Sequence, residues 1–281
     1  RDSAFEAIFD VGEFELRRDA PVLRFATPLV LDRLQDFGYP TGKVEAQIRV
    51  GRAEGGPIQT RGEVRLREGV AAFHRFPYEF RDLVGLVRFT DDEVVIHRVE
   101  GRAPSGATIV AEGRIAPPIA DAEVRVLVKA TNVPMDETVE SALGERRARL
   151  VRTIFSREKE RALLDRGDIR PPTDPANAGA VDASSIDPET PEFAVGGVAD
   201  ITVDVRRALG PGDQWTDRVQ VDIRNAGLLV DRFPFPLRAP MVTAVIDDGI
   251  VRLDSVELEG LRGGKVVVDA TLDARRRPDH E

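Results

Sequence analysis

The sequence predicts a mainly β fold of repeated antiparallel strands, interrupted by an inserted amphipathic helix. Three observations carry that expectation: period-2 alternation of apolar and polar residues, turn residues between the alternating runs, and an internal repeat. In Lys43-Val44-Glu45-Ala46-Gln47-Ile48-Arg49-Val50 every even position is apolar and every odd position polar, the pattern of a half-buried strand. The same alternation marks Glu63–Leu66, Glu123–Val128, Asp200–Val205 and Arg218–Ile223. Turn signals separate the runs: Glu54-Gly55-Gly56-Pro57, Glu68-Gly69, Asp91-Asp92, Ser105-Gly106, Asp247-Asp248-Gly249 and Arg262-Gly263-Gly264. Strands with one apolar and one polar face belong to antiparallel sheets solvated on one side.

The repeat appears when the chain is laid on itself at an offset of 157. Arg75-Phe76-Pro77-Tyr78-Glu79-Phe80-Arg81 then lies over Arg232-Phe233-Pro234-Phe235-Pro236-Leu237-Arg238, Val99-Glu100 over Val256-Glu257, and Gly106 over Gly263. Upstream, with a two-residue gap, Gly42–Ala46 matches Gly197–Ile201. One β unit therefore occurs twice, and repeated units of open sheet build quasi-one-dimensional assemblies.

The expected organisation follows in order. Residues 1–41 end a preceding repeat or spacer, and 42–131 form the first β-repeat. Residues 132–168 form a helical spacer, where Val139, Leu143, Leu150, Ile154 and Phe155 recur at helical spacing, Asp136 is placed to N-cap, and Gly144 suggests a break. Residues 169–192, rich in Pro, Asp and Ser, form a flexible linker. The second β-repeat covers 193–273, and 274–281 form a charged tail.

The composition excludes whole classes of chemistry. With no Cys there are no disulfides, thiolate metal sites or thiol catalysis, and three His residues do not make a His-rich centre. A formal net charge of −9 argues against a nucleic-acid partner. No apolar run reaches the ~18 residues of a membrane span. The chain opens at Arg1-Asp2 without Met or signal peptide, and is read as an internal piece of a longer protein. There is no Gly-x-Ser-x-Gly elbow and no Walker loop, and Gly196-Gly197 and Gly263-Gly264 are expected in turns between strands. Asp91/Asp92 and Asp247/Asp248 sit where turns favour Asp, and His74 and His97 lie over Asp231 and Asp254, so the shared property is polarity. Trp215 is placed either to seal a sheet edge or to meet a ligand. No catalytic residue, cofactor or metal is expected, and the chain is read as not an enzyme.

One family resembles these residues. Gly62-Glu63-Val64-Arg65-Leu66-Arg67-Glu68-Gly69, followed by Phe76-Pro77-Tyr78-Glu79-Phe80-Arg81-Asp82-Leu83-Val84-Gly85-Leu86-Val87-Arg88-Phe89, is similar to the repeat of AsmA-like proteins, which include the TamB group. Asn132-Val133-Pro134-Met135-Asp136-Glu137 resembles the opening of that family's helical spacer. The second copy departs from it: Pro240-Met241-Val242-Thr243 replaces Leu83–Leu86, and Leu258 replaces Gly101. The resemblance implies a periplasmic segment of an inner-membrane-anchored envelope protein of diderm bacteria, similar to bridge-like lipid transfer proteins. It implies an open, curved, U-shaped sheet whose groove binds phospholipid acyl chains and supports phospholipid transport and outer-membrane biogenesis. The implied partners are neighbouring β-repeats of the same parent chain and outer-membrane or envelope proteins.

The candidate lining residues are the apolar sides of the alternating strands. In the first copy they are Ile48, Val50, Val64, Leu66, Val87 and Phe89, then Val94, Ile96, Val124, Val126 and Val128. In the second they are Ile201, Val203, Val205, Val219 and Val221, then Ile223, Ile246, Val251 and Leu253. Period 2 reads the same whether these residues line a groove or close on one another as a sandwich core. Two other readings stand beside lipid binding. One is a structural spacer that holds partners by strand addition at an open edge; the other is an enzyme with 169–192 as its lid.

Overall fold

Alternating segments that each bury one face pair most simply with their sequence neighbours, and this chain does so throughout. The computed structural model describes residues 3–20, 35, 39–73, 76–119, 121–143, 145–172, 189–212, 215–230, 233, 235–247 and 249–273. Twelve strands form one open antiparallel sheet whose order is the order of the chain. They are β1 (Phe5–Leu16), β2 (Thr41–Arg52), β3 (Ile58–Phe73), β4 (Phe76–Thr90), β5 (Val94–Arg102) and β6 (Thr108–Ala116), then β7 (Glu123–Pro134), β8 (Gly196–Arg207), β9 (Trp215–Leu228), β10 (Leu237–Asp247), β11 (Ile250–Gly260) and β12 (Lys265–Asp273). The mainly β, antiparallel sheet expected from the alternation is the fold observed, and it is open, as the resemblance implied.

The repeat extends to backbone detail. Shifted by 157 residues, β6 coincides with β12. The register slips between Ile96 and Val99 on β5 and between Leu253 and Val256 on β11, which are equivalent places. Gly42 and Gly197, the equivalent glycines of β2 and β8, have φ 148° and 144°. A Cβ on Gly42 would stand 2.8 Å from the Gly69 Cα, and one on Gly197 3.3 Å from the Ala226 Cα, so both copies need the same close backbone approach. Gly196 and Gly197 thus open β8 rather than forming the turn expected of them.

The helical segment departs from the expectation of one helix or a broken pair. Three helices form: α1 (Glu137–Ala142), α2 (Glu145–Ile154) and α3 (Arg157–Asp165). Asp136 caps α1, its carboxylate accepting from the Thr138 and Val139 amides at 2.9 and 3.1 Å. The second break comes from tertiary pairing. The Leu229 amide donates to the Ile154 carbonyl, and the Ser156 amide donates to the Leu229 carbonyl, so β9's extension stops the helix there. Gly144 and the Leu150 side chain lie outside the described residues.

The chain divides into two compact units, Arg1–Val133 with Asp200–Gln220 and Ile246–Asp248, and Pro134–Ala199 with Val221–Val245 and Gly249–Glu281. The second has a conventional core: Val139, Ala142, Ala148, Phe155, Ile169, Phe193, Val195, Leu228 and Leu229 are buried, Leu229 completely. The linker's ends belong to it. Arg170 donates its amide to the Pro191 carbonyl and pairs with Glu192 at 3.1 Å, while 173–188, like the tail 274–281, lie outside the described residues.

Candidate functional site

The first unit carries a continuous apolar sheet face. Ladder register aligns Phe9, Ile48, Gly62, Phe89, Val94, Ile115 and Val124 in one row across β1–β7. A second row runs Val11, Ala46, Val64, Val87, Ile96, Gly113, Val126, and a third Phe14, Val44, Leu66, Gly85, Val99, Ala111, Val128. All the candidate lining residues of the first copy therefore fall on one face, with Val50 in a fourth row beside Ala7.

Their burial separates the two arrangements that alternation left open. Ile48, Val50, Val64, Leu66, Val87, Phe89, Val94, Ile96, Val126 and Val128 are all half-buried, and only Val124, at 9%, is buried. A face closed against a second sheet would bury such residues as a sandwich core does. Among the described residues there is no second sheet.

The second copy divides. Ile201, Val203, Val205, Val219, Val221, Ile246 and Leu253 are half-buried, whereas Ile223 and Val251 are buried at 6% and 8%. Ile223 packs against Gly197, whose added Cβ would meet its Cγ2 at 2.8 Å. Ile223, Val251 and Val124 are thus packing residues rather than open lining.

Two features of the face carry signals that the alternation does not. Glycines sit beneath large side chains: a Cβ at Gly62 would lie 2.7 Å from the Phe89 ring, and one at Gly101 2.6 Å from Leu83. The large residues lie down over the neighbouring strand and cover its backbone. Bulges recur as well. Glu68, Asp82, Asn132, Asn225 and Ser255 have φ between 50° and 56°, and the residues after them, Gly69, Leu83, Val133, Ala226 and Val256, are all buried. Each left-handed residue interrupts its strand, and the residue after it is packed away from solvent. Asn and Asp, which tolerate this conformation, are the legible signal. Carboxylates satisfy two of the displaced amides: Asp200 accepts from Asn132 at 3.0 Å and Asp269 from Ser255 at 2.7 Å.

The opposite face is charged. Glu63 pairs with Arg65 and Arg88, Glu45 with Arg67, Arg98 with Glu100 and Glu112, and Glu93 with Arg114. A hydrogen bond and the charge of Glu68 hold the Lys43 ammonium above its ordinary range. A hydrogen bond from Arg206 holds the Asp204 carboxyl below its ordinary range. These are solvated ion pairs, not desolvated acids of the kind that catalysis tunes.

The other residues singled out in the sequence take structural places. Trp215 opens β9 with the Arg207 guanidinium 5.6 Å from its ring centre. Arg207, 9% exposed, donates to Asp121 at 3.0 Å, so the pair ties the start of β7 to the β8–β9 hairpin. A shallow cavity of about 490 Å³ beside it is lined by Val124, Arg125, Arg206, Arg207 and Trp215. Asp91 accepts from the Thr60 amide at 2.8 Å in its turn. His97 is an exposed bulge residue, while His74 and Asp248 lie outside the described residues. The aromatic motif diverges between copies. Tyr78 is buried with its hydroxyl 2.7 Å from that of Ser105, but its counterpart Phe235 is 62% exposed. Among the described residues no group of acidic and His side chains is placed to hold a metal, and no helix is long and apolar enough to cross a membrane.

Fold and site together define an open β-repeat sheet with one apolar and one charged face. No family model, no curated protein and no solved structure matches the chain.

Proposed function

We propose that this chain is a non-enzymatic periplasmic segment of an AsmA-like, TamB-like envelope protein, anchored in the inner membrane by a part outside these residues. Its apolar face binds phospholipid acyl chains and supports their transfer between inner and outer membranes. The observation that supports this reading is the open face: apolar rows crossing seven strands, half-buried, with no second sheet among the described residues. An acyl chain laid along such a surface gains about 0.8 kcal/mol for each methylene removed from water. Binding of this kind needs an unbroken apolar lining and a solvated back, and no reacting group.

Phospholipid copurifying with the chain, detected by native mass spectrometry, is the expected result. Ile48→Glu and Ile201→Glu should each reduce bound lipid several-fold and leave the circular dichroism spectrum unchanged. A folded chain free of lipid, with no photo-crosslink to lipid from positions 48 and 201, would overturn the reading. Among the described residues β1 and β12 are the outermost strands of the sheet, which favours a second role, docking by strand addition.

A further inference from the structure

The strand order contains a larger repeat than the sequence match revealed. β1 precedes β2 as β7 precedes β8, and β2 and β8 are equivalent, twelve-residue strands. β1 and β7 are also twelve residues each, and each is irregular toward its end, β1 between Val11 and Phe14 and β7 at Asn132. The sheet is therefore two six-strand sets, β1–β6 and β7–β12, joined by the uninterrupted β6–β7 ladder from Thr108↔Thr131 to Ala116↔Glu123. Among the described residues the outer edge of β12 is the edge that β6 gives to β7. Likewise the outer edge of β1 is the edge that β7 gives to β6.

The geometry points to head-to-tail assembly: we propose that β12 of one copy of this chain adds antiparallel to β1 of a second copy, as β6 adds to β7. Carrying over the β6–β7 register, with Phe5, Ala7 and Phe9 in the places of Val124, Val126 and Val128, sets Val266 opposite Val11, Val268 opposite Phe9 and Ala270 opposite Ala7. The faces agree independently. Val266 and Val268 lie on the side of Leu258 and Val256, and Phe9 and Val11 on the side of Ile48 and Ala46. On the other side Val267 meets Asp10 and Asp269 meets Ile8, so no like charges oppose.

Of the features that keep edge strands apart, β1 has Glu6, Asp10, Glu13, Glu15 and a bulge, and β12 has Asp269 and Asp273, but basic residues and Pro are nearly absent from both. β1 contains no Lys, Arg or Pro, and β12 only Lys265 at its first position. Both expose apolar side chains: Ile8 55% and Phe9 53% on β1, Val266 40% and Val267 61% on β12. The two surfaces differ, so the contact is heterologous and each copy keeps one free edge for another.

The absence of Cys makes a clean test possible. Directly opposed residues of an antiparallel pair stand about 4.5–5.5 Å apart at Cα, within disulfide range. Full-length Val11→Cys and Val266→Cys proteins, mixed and oxidised, should give a mixed disulfide dimer well above either homodimer. The Val11→Cys and Val267→Cys pair, whose sulfurs point to opposite faces, should link at least tenfold less. The unmodified chain should show concentration-dependent growth in mass by light scattering. A chain that stays monomeric, homodimers in place of the mixed dimer, or equal linking by both pairs would each overturn the proposal.

Discussion

Asn132 shows how one residue bends this sheet. Its φ of 56° is left-handed, its amide leaves the ladder for the Asp200 carboxylate, and Val133 beyond it is 2% exposed. Asn accepts that conformation at little cost, whereas a β-branched residue does not. Asn132→Gly should keep stability within about 0.5 kcal/mol, and Asn132→Val should lower it by about 1–2 kcal/mol, in urea unfolding. Equal effects of the two would place the constraint in the side chain rather than the backbone. The glycines under large side chains work by space instead. Gly62 leaves room for the Phe89 ring, and a Cβ there would also meet the Gln47 carbonyl at 2.5 Å.

At the scale of elements, the three helices hold because they are docked, not because of their length. α1 has six residues, well below the ~12–15 that an isolated helix needs in water. α1 and α2 bury Val139, Ala142 and Ala148 in the second unit's core, α3 buries no side chain, and the fully buried Leu229 is bonded through its backbone to the α2–α3 junction. The Glu160 carboxylate accepts from the Val195 amide at 2.7 Å, and Arg157 donates to the Met135 carbonyl at 2.7 Å. Leu229→Ala should cost about 2–5 kcal/mol of stability, through lost transfer energy and the cavity left behind. Asp136→Ala, which removes a cap, should cost about 1 kcal/mol. Helical ellipticity in thermal melts would distinguish them, the first lowering the midpoint several degrees more than the second.

Across the strands of the first unit, polarity is divided by face. Ion pairs on the charged face are solvent-exposed or half-exposed, the Lys43–Glu68 and Arg98–Glu100 pairs among them, so solvent screening leaves each little weight in stability. The urea midpoint should therefore change little between about 0.05 and 1 M NaCl, where screening removes most of such a contribution. A large fall at high salt would assign the charged face a structural weight that its exposure does not suggest. The charges keep the back of the sheet in water, and the apolar rows lie on its other side.

Strands, the antiparallel fold class, the Asp136 cap and the repeat were legible in the sequence, because alternation, turn residues and capping act over a few residues. Ile48, Val64, Val87, Ile96 and Val126 could be assigned to one side because side chains in a strand alternate. What alternation does not encode is which residues lie opposite which, or whether anything covers them. Ladder register placed those residues in unbroken rows, burial showed most of them half-buried, and packing buried Val124, Ile223 and Val251. The break after Ile154 and the pinched ends of 169–192 depend on Leu229 and Pro191, residues far along the chain. The sequence by itself determined the strands, their faces and their duplication. Only the tertiary structure decided the open face, the third helix and the six-strand period, since each depends on contacts between residues distant in the chain.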